Sequence, residues 1–295
     1  MAPSTAAIRF PGASGAPLSA RLDAPAETPL AYALFAHCFT CSKESKAATV
    51  ISAALAERGV AVLRFDFTGL GGSEGEFANT NFSSNVGDLV AAAGHLRKHY
   101  RAPAILIGHS LGTAVLAAAP DIAECTAVAT VGSPFDPRHV LGLIGSSTQA
   151  IERDGEAQVE IAGRAFRIKK QFLDDIRGHK LAETVARMNK ALMVMHSPRD
   201  TIVDIDNATK IFTAAKHPKS FVSLDPADHL LSEREDALYA GHVLAAWAER
   251  YLQIRPRTSL PARTKTRAAS ETRLPRRWIG GRERRCGAEN GRSAR

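Results

Sequence analysis

A chain of 295 residues, 45% of them hydrophobic, is long enough to bury a substantial core. Its net charge of +8 looks like a signal for nucleic acid or an anionic membrane until it is divided along the chain: residues 251–295 hold 12 Arg and 1 Lys against 3 Glu, which leaves 25 basic and 27 acidic residues in 1–250. The first 250 residues are therefore close to neutral, and this excludes a broadly basic binding face, so neither nucleic acid nor membrane is an expected partner of the folded part.

Two short alternating segments open the chain, Ala7 to Phe10 and Leu18 to Leu22, with Pro11, Gly12, Gly15 and Pro17 between them, and they read as a β-hairpin. The ten residues before the first turn carry no basic n-region and no apolar h-region, so nothing marks export and a cytoplasmic location is the default. Ala31 to Ala36 is a continuous apolar run too short for a helix, as buried parallel strands are. A helix over Ser45–Arg58 follows, closed by Gly59 in the C′ position, and Val60 to Phe65 is the next buried strand. The alternation continues with helix Ser83–Tyr100, strand Ala104–Ile107, helix Leu111–Ala119 and strand Ala127–Val131. The uncharged window Ala102 to Pro120 has the length of a membrane span, but Pro103, Gly108, His109, Ser110 and Gly112 interrupt it.

From Phe135 to Asn189 the rhythm breaks. A helix over Arg138–Ile151, an alternating pair (Gln158 to Ile161 and Ala165 to Ile168) around Gly163, and a helix near Gln171–Ile176 read as a cap insertion, about 135–189, over the ends of the strands. The rhythm returns with strand Ala191–His196, helix Ile205–Ala215, strand Ser220–Leu224 and helix Glu235–Leu252. Strands alternating with helices over some 200 residues predict an α/β fold with a mostly parallel central sheet flanked by helices, occupying 1–252. Residues 253–295 are basic, rich in Arg and Pro and without helical or strand period, and read as a disordered tail. Such a tail is either a solvated extension, a docking arm for RNA or anionic lipid, or the product of a gene read out of frame. The four cysteines, Cys38, Cys41, Cys125 and Cys286, make no disulfide framework, and reduced thiols are the simplest inference.

The chemistry is concentrated in three loops. Gly108-His109-Ser110-Leu111-Gly112 runs from a buried strand into a helix, where a G-x-S-x-G turn holds its serine exposed and its glycines let the backbone pack around the bend. A serine hydroxyl is a poor nucleophile without a base, and the base needs an acid to fix its tautomer. Asp200 follows the strand ending at His196, and His229 follows the strand ending at Leu224, in the chain order Ser, Asp, His. Among rivals, Asp206 suits the N-cap of the helix beginning near Asn207, Asp204 has no clear role, Asp228 forms a turn within its loop, and His196 is a packed or loop histidine. His95 and His99 have the i,i+4 spacing of metal ligands but no third ligand, and read as a helix face. The oxyanion formed on attack needs two backbone donors: the N–H of Leu111, and one from the loop His37-Cys38-Phe39-Thr40-Cys41-Ser42-Lys43, where Phe39 is the assigned position.

With the His37 loop, Arg64-Phe65-Asp66-Phe67-Thr68-Gly69-Leu70-Gly71-Gly72-Ser73, the Gly108–Gly112 turn and the Asp200 and His229 loops in this order, residues 1–252 resemble the α/β-hydrolase family, in particular its serine aminopeptidase-like and small-esterase branch. The stretch from His37 through Asn79-Thr80-Asn81-Phe82-Ser83-Ser84 is similar to the hydrolase half of bacterial chains that carry an OsmC-like domain afterwards. Related loops usually read His-Gly-x-x-Gly. Here Cys38 and Cys41 replace the two glycines, and the pair is either a small apolar filler or a disulfide that makes hydrolysis redox-dependent. The resemblance implies a serine hydrolase of esters or thioesters with small to medium acyl groups, working through an acyl-enzyme on a small-molecule substrate with no cofactor and no metal. Two other readings stay open: a peptidase-like amide hydrolase, and a catalytically silent binding or regulatory module with the tail as its arm.

Overall fold

Apolar runs without polar alternation must be covered on both faces, and the fold does this with an eight-stranded sheet between two helical layers. The computed structural model describes residues 3–38, 41–161 and 163–252. In chain order the strands are β1 (Ser4–Pro11), β2 (Pro17–Ala24), β3 (Ala31–Ala36), β4 (Val60–Phe65), β5 (Ile105–His109), β6 (Ala127–Val131), β7 (Glu156–Ile161), β8 (Arg164–Lys169), β9 (Ala191–His196) and β10 (Lys219–Ser223). The helices are α1 (Lys46–Glu57), α2 (Phe82–His99), α3 (Thr113–Ala118), α4 (Val140–Ile144), α5 (Ser147–Asp154), α6 (Lys170–Gly178), α7 (Leu181–Arg187), α8 (Asp206–Ala214) and α9 (Arg234–Ala248).

The main sheet has the order β1-β2-β4-β3-β5-β6-β9-β10, parallel from β4 to β10, with the β1–β2 hairpin added antiparallel at one edge. Alternate residues of each central strand feed different cores. Ala33, Phe35, Val62, Ile105 and Ile107 face α1 and α9, whereas Leu34, Leu63, Phe65 and Leu106 face the layer containing α2, α3 and α8. This two-sided burial is why those strands read as unbroken apolar runs. The strand order reverses about β3, whose neighbours are β4 and β5, and such a switch point leaves a crevice beyond the carboxyl ends of the strands.

Local chemistry sets the helix ends. Ser45 caps α1 through the Ala48 amide, and Gly59 follows the helix at φ 84. Asn81 caps α2 reciprocally with Ser84, so the helix begins one residue before the predicted Ser83, and Arg97, Lys98 and His99 lie in its last turn.

Between β6 and β9 the chain inserts a short 3-10 helix (Pro137–His139), α4, α5, the separate β7–β8 hairpin, α6 and α7. The single helix expected over Arg138–Ile151 is two, α4 and α5, because Gly145 sits between them at φ 58. The inserted segment is fastened near the start of α2: Phe77 packs on Phe166 at 4.9 Å between ring centroids, Lys169 Nζ donates to Asn79 Oδ1 at 2.7 Å, and Asp175 accepts from the Ser83 amide and hydroxyl at 2.9 and 2.5 Å. No helix among the described residues is long and apolar enough to cross a membrane. The tail expected over 253–295 lies outside the described residues.

Candidate active site

Three loops at the carboxyl ends of β5, β9 and β10 bring Ser110, Asp200 and His229 together. Ser110 follows β5 at φ 58, a left-handed conformation that costs a non-glycine residue about 1 kcal/mol or more and that aims its side chain outward from the turn. Its amide donates to Val131 O at 2.8 Å, which ties the bend to β6. The turn is tight enough to need both glycines: a Cβ on Gly108 would lie 2.3 Å from Gly112 Cα, and one on Gly112 would lie 2.1 Å from Ser133 Oγ.

His229 Nδ1 lies 2.7 Å from Asp200 Oδ2, and His229 Nε2 lies 3.0 Å from Ser110 Oγ. Burial pushes the Asp200 carboxyl up, but hydrogen bonds from His229, Val203 and Ile202 outweigh it and hold the group below the usual carboxylate range. An ionised carboxylate only accepts, so the imidazole proton sits on Nδ1 and Nε2 is left to accept from the serine hydroxyl. Such a chain can withdraw the Ser110 proton as the oxygen attacks a carbonyl.

The acid is well held. Asp200 Oδ1 accepts the amides of Ile202 and Val203 at 2.9 and 2.8 Å. His196, buried at the end of β9, is 2.8 Å from Val203 O through Nε2 and 3.5 Å from Asp200 Oδ2. This histidine is buried, as expected of a packed or loop residue, and it closes the loop that carries Asp200. Two rival assignments also change. Asp206 is the first residue of α8 with no capping bond from its side chain, and Asp204 is the structural one: its Oδ1 accepts the Asp206 amide at 2.8 Å and its carbonyl accepts the Asn207 amide at 3.0 Å. Asp228 accepts the Ser232 amide at 2.8 Å and shapes the His229 loop, as expected of a turn residue.

Of the two assigned oxyanion donors, Leu111 directly follows Ser110 in the turn leading to α3, and Phe39 lies outside the described residues. Lys43, at the described end of the same loop, is strongly braced. Asp66, fully buried, accepts the Lys43 amide at 2.6 Å, Lys43 Nζ at 2.7 Å and the Gly72 amide at 2.8 Å. Arg64 pairs with Asp23 at 2.6 Å and with Glu44 at 3.0 Å, and donates to Lys43 O at 2.5 Å. His37 Nδ1 lies 2.7 Å from Cys38 O, and burial lowers its pKa. Cys38 and Cys41 form a disulfide, with the Cys41 amide bonded to Cys38 O at 3.1 Å, so the reduced-thiol expectation does not hold at this pair. Cys125 is free and buried beneath the sheet, where burial pushes its thiol up to about 11.

Three roles were missed from sequence. His196 holds the Asp200 loop and His109 reaches the His229 loop, with Nε2 2.8 Å from His229 O. Gly132, at φ 55 after β6, backs the acid–base pair: a Cβ there would lie 3.2 Å from Asp200 Oδ2 and 3.5 Å from His229 Nδ1. A glycine or histidine at the carboxyl end of a central strand was the available signal. The His95 and His99 rings lie 4.6 Å apart, tilted, on α2, with His95 stacked on Phe10 at 5.0 Å, and among the described residues no group of three or more His, Cys, Asp or Glu could hold a metal ion.

The family model described as the alpha/beta hydrolase family matches residues 33–277. Among solved structures, the esterase domain of a Rhodothermus marinus protein is similar at 50% identity and a TM-score of 0.70, covering 84% of this chain and 99% of that one. Est1E from Butyrivibrio proteoclasticus, solved with ferulic acid bound, is similar at 20% identity and a TM-score of 0.73, covering 82% and 99%. Alpha/beta hydrolase domain-containing protein 10 from mouse is similar at 19% identity and a TM-score of 0.70, covering 83% and 99%. None of the curated proteins compared with the chain matches it significantly.

Proposed function

Since the chain belongs to the alpha/beta hydrolase family, we propose that it is a serine hydrolase that cleaves esters or thioesters of small to medium acyl groups, with Ser110 as nucleophile, His229 as base and Asp200 as the acid that orients it. The observation that carries this reading is the unbroken hydrogen-bonded line Ser110–His229–Asp200, at 3.0 and 2.7 Å. His229 takes the Ser110 proton as the oxygen adds to the substrate carbonyl. The tetrahedral oxyanion rests on the amides of Leu111 and Phe39, and His229 then protonates the leaving group. Water repeats the sequence to release the acid. The esterase-domain relative at 50% identity favours ester over amide cleavage.

The insertion between β6 and β9 acts as a cap that chooses the acyl group. His139, one helical turn before Leu143, lies 3.1 Å through Nε2 from Ile202 O in the Asp200 loop, which supports placing that segment beside the site. The exposed Leu143, Ile202 and Leu230 fit an apolar rather than a charged acyl or aryl group. Ser110→Ala is expected to abolish turnover of a short p-nitrophenyl ester and labelling by a fluorophosphonate, a loss of at least about 10⁴-fold. Retained turnover in that variant means a different nucleophile. An unlabelled wild-type protein means a silent member of the fold.

A further inference from the structure

His109 fills the variable position of the Gly108–Gly112 turn and has no part in the proton relay, yet it is 1% exposed at the end of β5. Its Nε2 lies 2.8 Å from the backbone oxygen of His229, 120 residues away in the chain. A carbonyl only accepts, so the proton of His109 sits on Nε2, and the bare Nδ1 has no hydrogen-bond partner among the described residues. The two rings lie 5.7 Å apart at 34°. Burial pushes the His109 imidazole down to about 4, so the side chain stays neutral when His229 becomes charged beside it, and no like charge opposes the proton transfer.

The rest of the His229 loop is held by contacts that do not reach His229. Ala227 N bonds to Leu224 O, Leu231 N to Asp228 O and Ser232 N to Asp228 Oδ1, while Lys46 Nζ donates to Ser232 O. These shape the loop and fasten its far end to α1. A base on a loop has to stay within a few tenths of an ångström of its nucleophile, because a misplacement of about 1 Å typically costs ~10²-fold in rate.

Building on the hydrolase reading above, we propose that His109 is a positioning residue that fastens the backbone of His229 to the strand end bearing Ser110. Nucleophile and base then share one rigid reference, β5: Ser110 through the chain, His229 through the His109 hydrogen bond. The donor matters, not the ring. An apolar side chain of similar size keeps the packing and loses the fastening, whereas glutamine keeps a nitrogen donor at nearly the same reach.

Turnover of a p-nitrophenyl ester by the full chain tests this in wild type, His109→Met, His109→Gln and Ser110→Ala. His109→Met is expected to lower kcat by about 10–100-fold with KM changed by less than about 2-fold, and His109→Gln to recover to within about 5-fold of wild type. A Met variant as fast as wild type beside an inactive Ser110→Ala overturns this inference alone and leaves the hydrolase reading standing. Met and Gln variants equally impaired also overturn it, since packing rather than donation would then be at stake. No difference between wild type and Ser110→Ala overturns both readings. Should the Met variant fail to fold, ¹⁵N imidazole spectra of the wild type decide: a slowly exchanging Nε2–H on His109 supports the fastening, and an Nδ1–H tautomer overturns it.

Discussion

Ser110, Asp200 and His229 were legible as candidates because their chemistry demands particular residue types after particular strands. Gly132 was not, because its importance is a distance to residues 68 and 97 positions away. A Cβ at this position would press on the Asp200–His229 pair, 3.2 Å from Asp200 Oδ2, and its φ of 55 disfavours other residues. Gly132→Ala is expected to combine about 1–2 kcal/mol of backbone cost with a displacement of His229 from Ser110. We expect kcat to fall about 10-fold or more with the fold retained, as read by ester kinetics beside thermal melting. An unchanged kcat would show that the pair yields by a few tenths of an ångström without losing its alignment. His196 and His109 were hidden for the same reason: a histidine ending a buried strand gives no sign of which carbonyl it will meet.

Among the elements, buried strands were read correctly because an apolar run of five or six residues has few other uses, and the Asp, Gly and Asn signals at their ends are local. The insertion was read less well. Gly145 splits the expected helix, and α7, seven residues with only Leu181 and Val185 buried, has too short an apolar stripe to announce itself. In the loop after β3, spacing left the cysteines undecided, since C-x-x-C suits a packed pair as well as a bond. The Cys38–Cys41 bond closes a very short ring, so chain entropy limits its contribution to stability to about 2 kcal/mol. Asp66, Lys43 and Arg64 already hold the end of the same loop nearest α1. A reductant is therefore expected to lower turnover, through the oxyanion donor proposed at Phe39, more than it lowers the melting temperature. Ester hydrolysis with and without a dithiol reductant, repeated in Cys41→Ser, reads this directly. Equal rates in all four conditions would remove the disulfide from the catalytic account.

At the scale of the whole molecule, parallel strands in the order β3-β5-β6-β9-β10 set side by side the carboxyl ends that lead to His37, Ser110, Gly132, Asp200 and His229, although these residues span nearly 200 positions of chain. The sequence predicted the class of this sheet, but not its register or the depth at which each loop end would be buried. That depth has a thermodynamic consequence. Burial lowers the pKa values of both His37 and His109, the latter to about 4, whereas an unfolded histidine titrates near 6.5. Between those values the unfolded chain binds protons that the folded one refuses, so stability is complete above about pH 6.5 and is lost as pH falls toward 4. For His109 alone the gap is worth ~3 kcal/mol, and in a fold of this size that lowers Tm by roughly 6–12 °C. The carboxylates held low by their partners, Asp136, Asp154, Asp200, Asp228, Glu44 and Glu124, lose their contribution only below about pH 4.5, so most of the window belongs to the histidines. Melting curves of the full chain from pH 7.5 to 4.5 should fall steadily for wild type and less steeply for His109→Gln, which has no proton to take up. A wild-type Tm that stays level across that range would mean that His37 and His109 are not held neutral by burial.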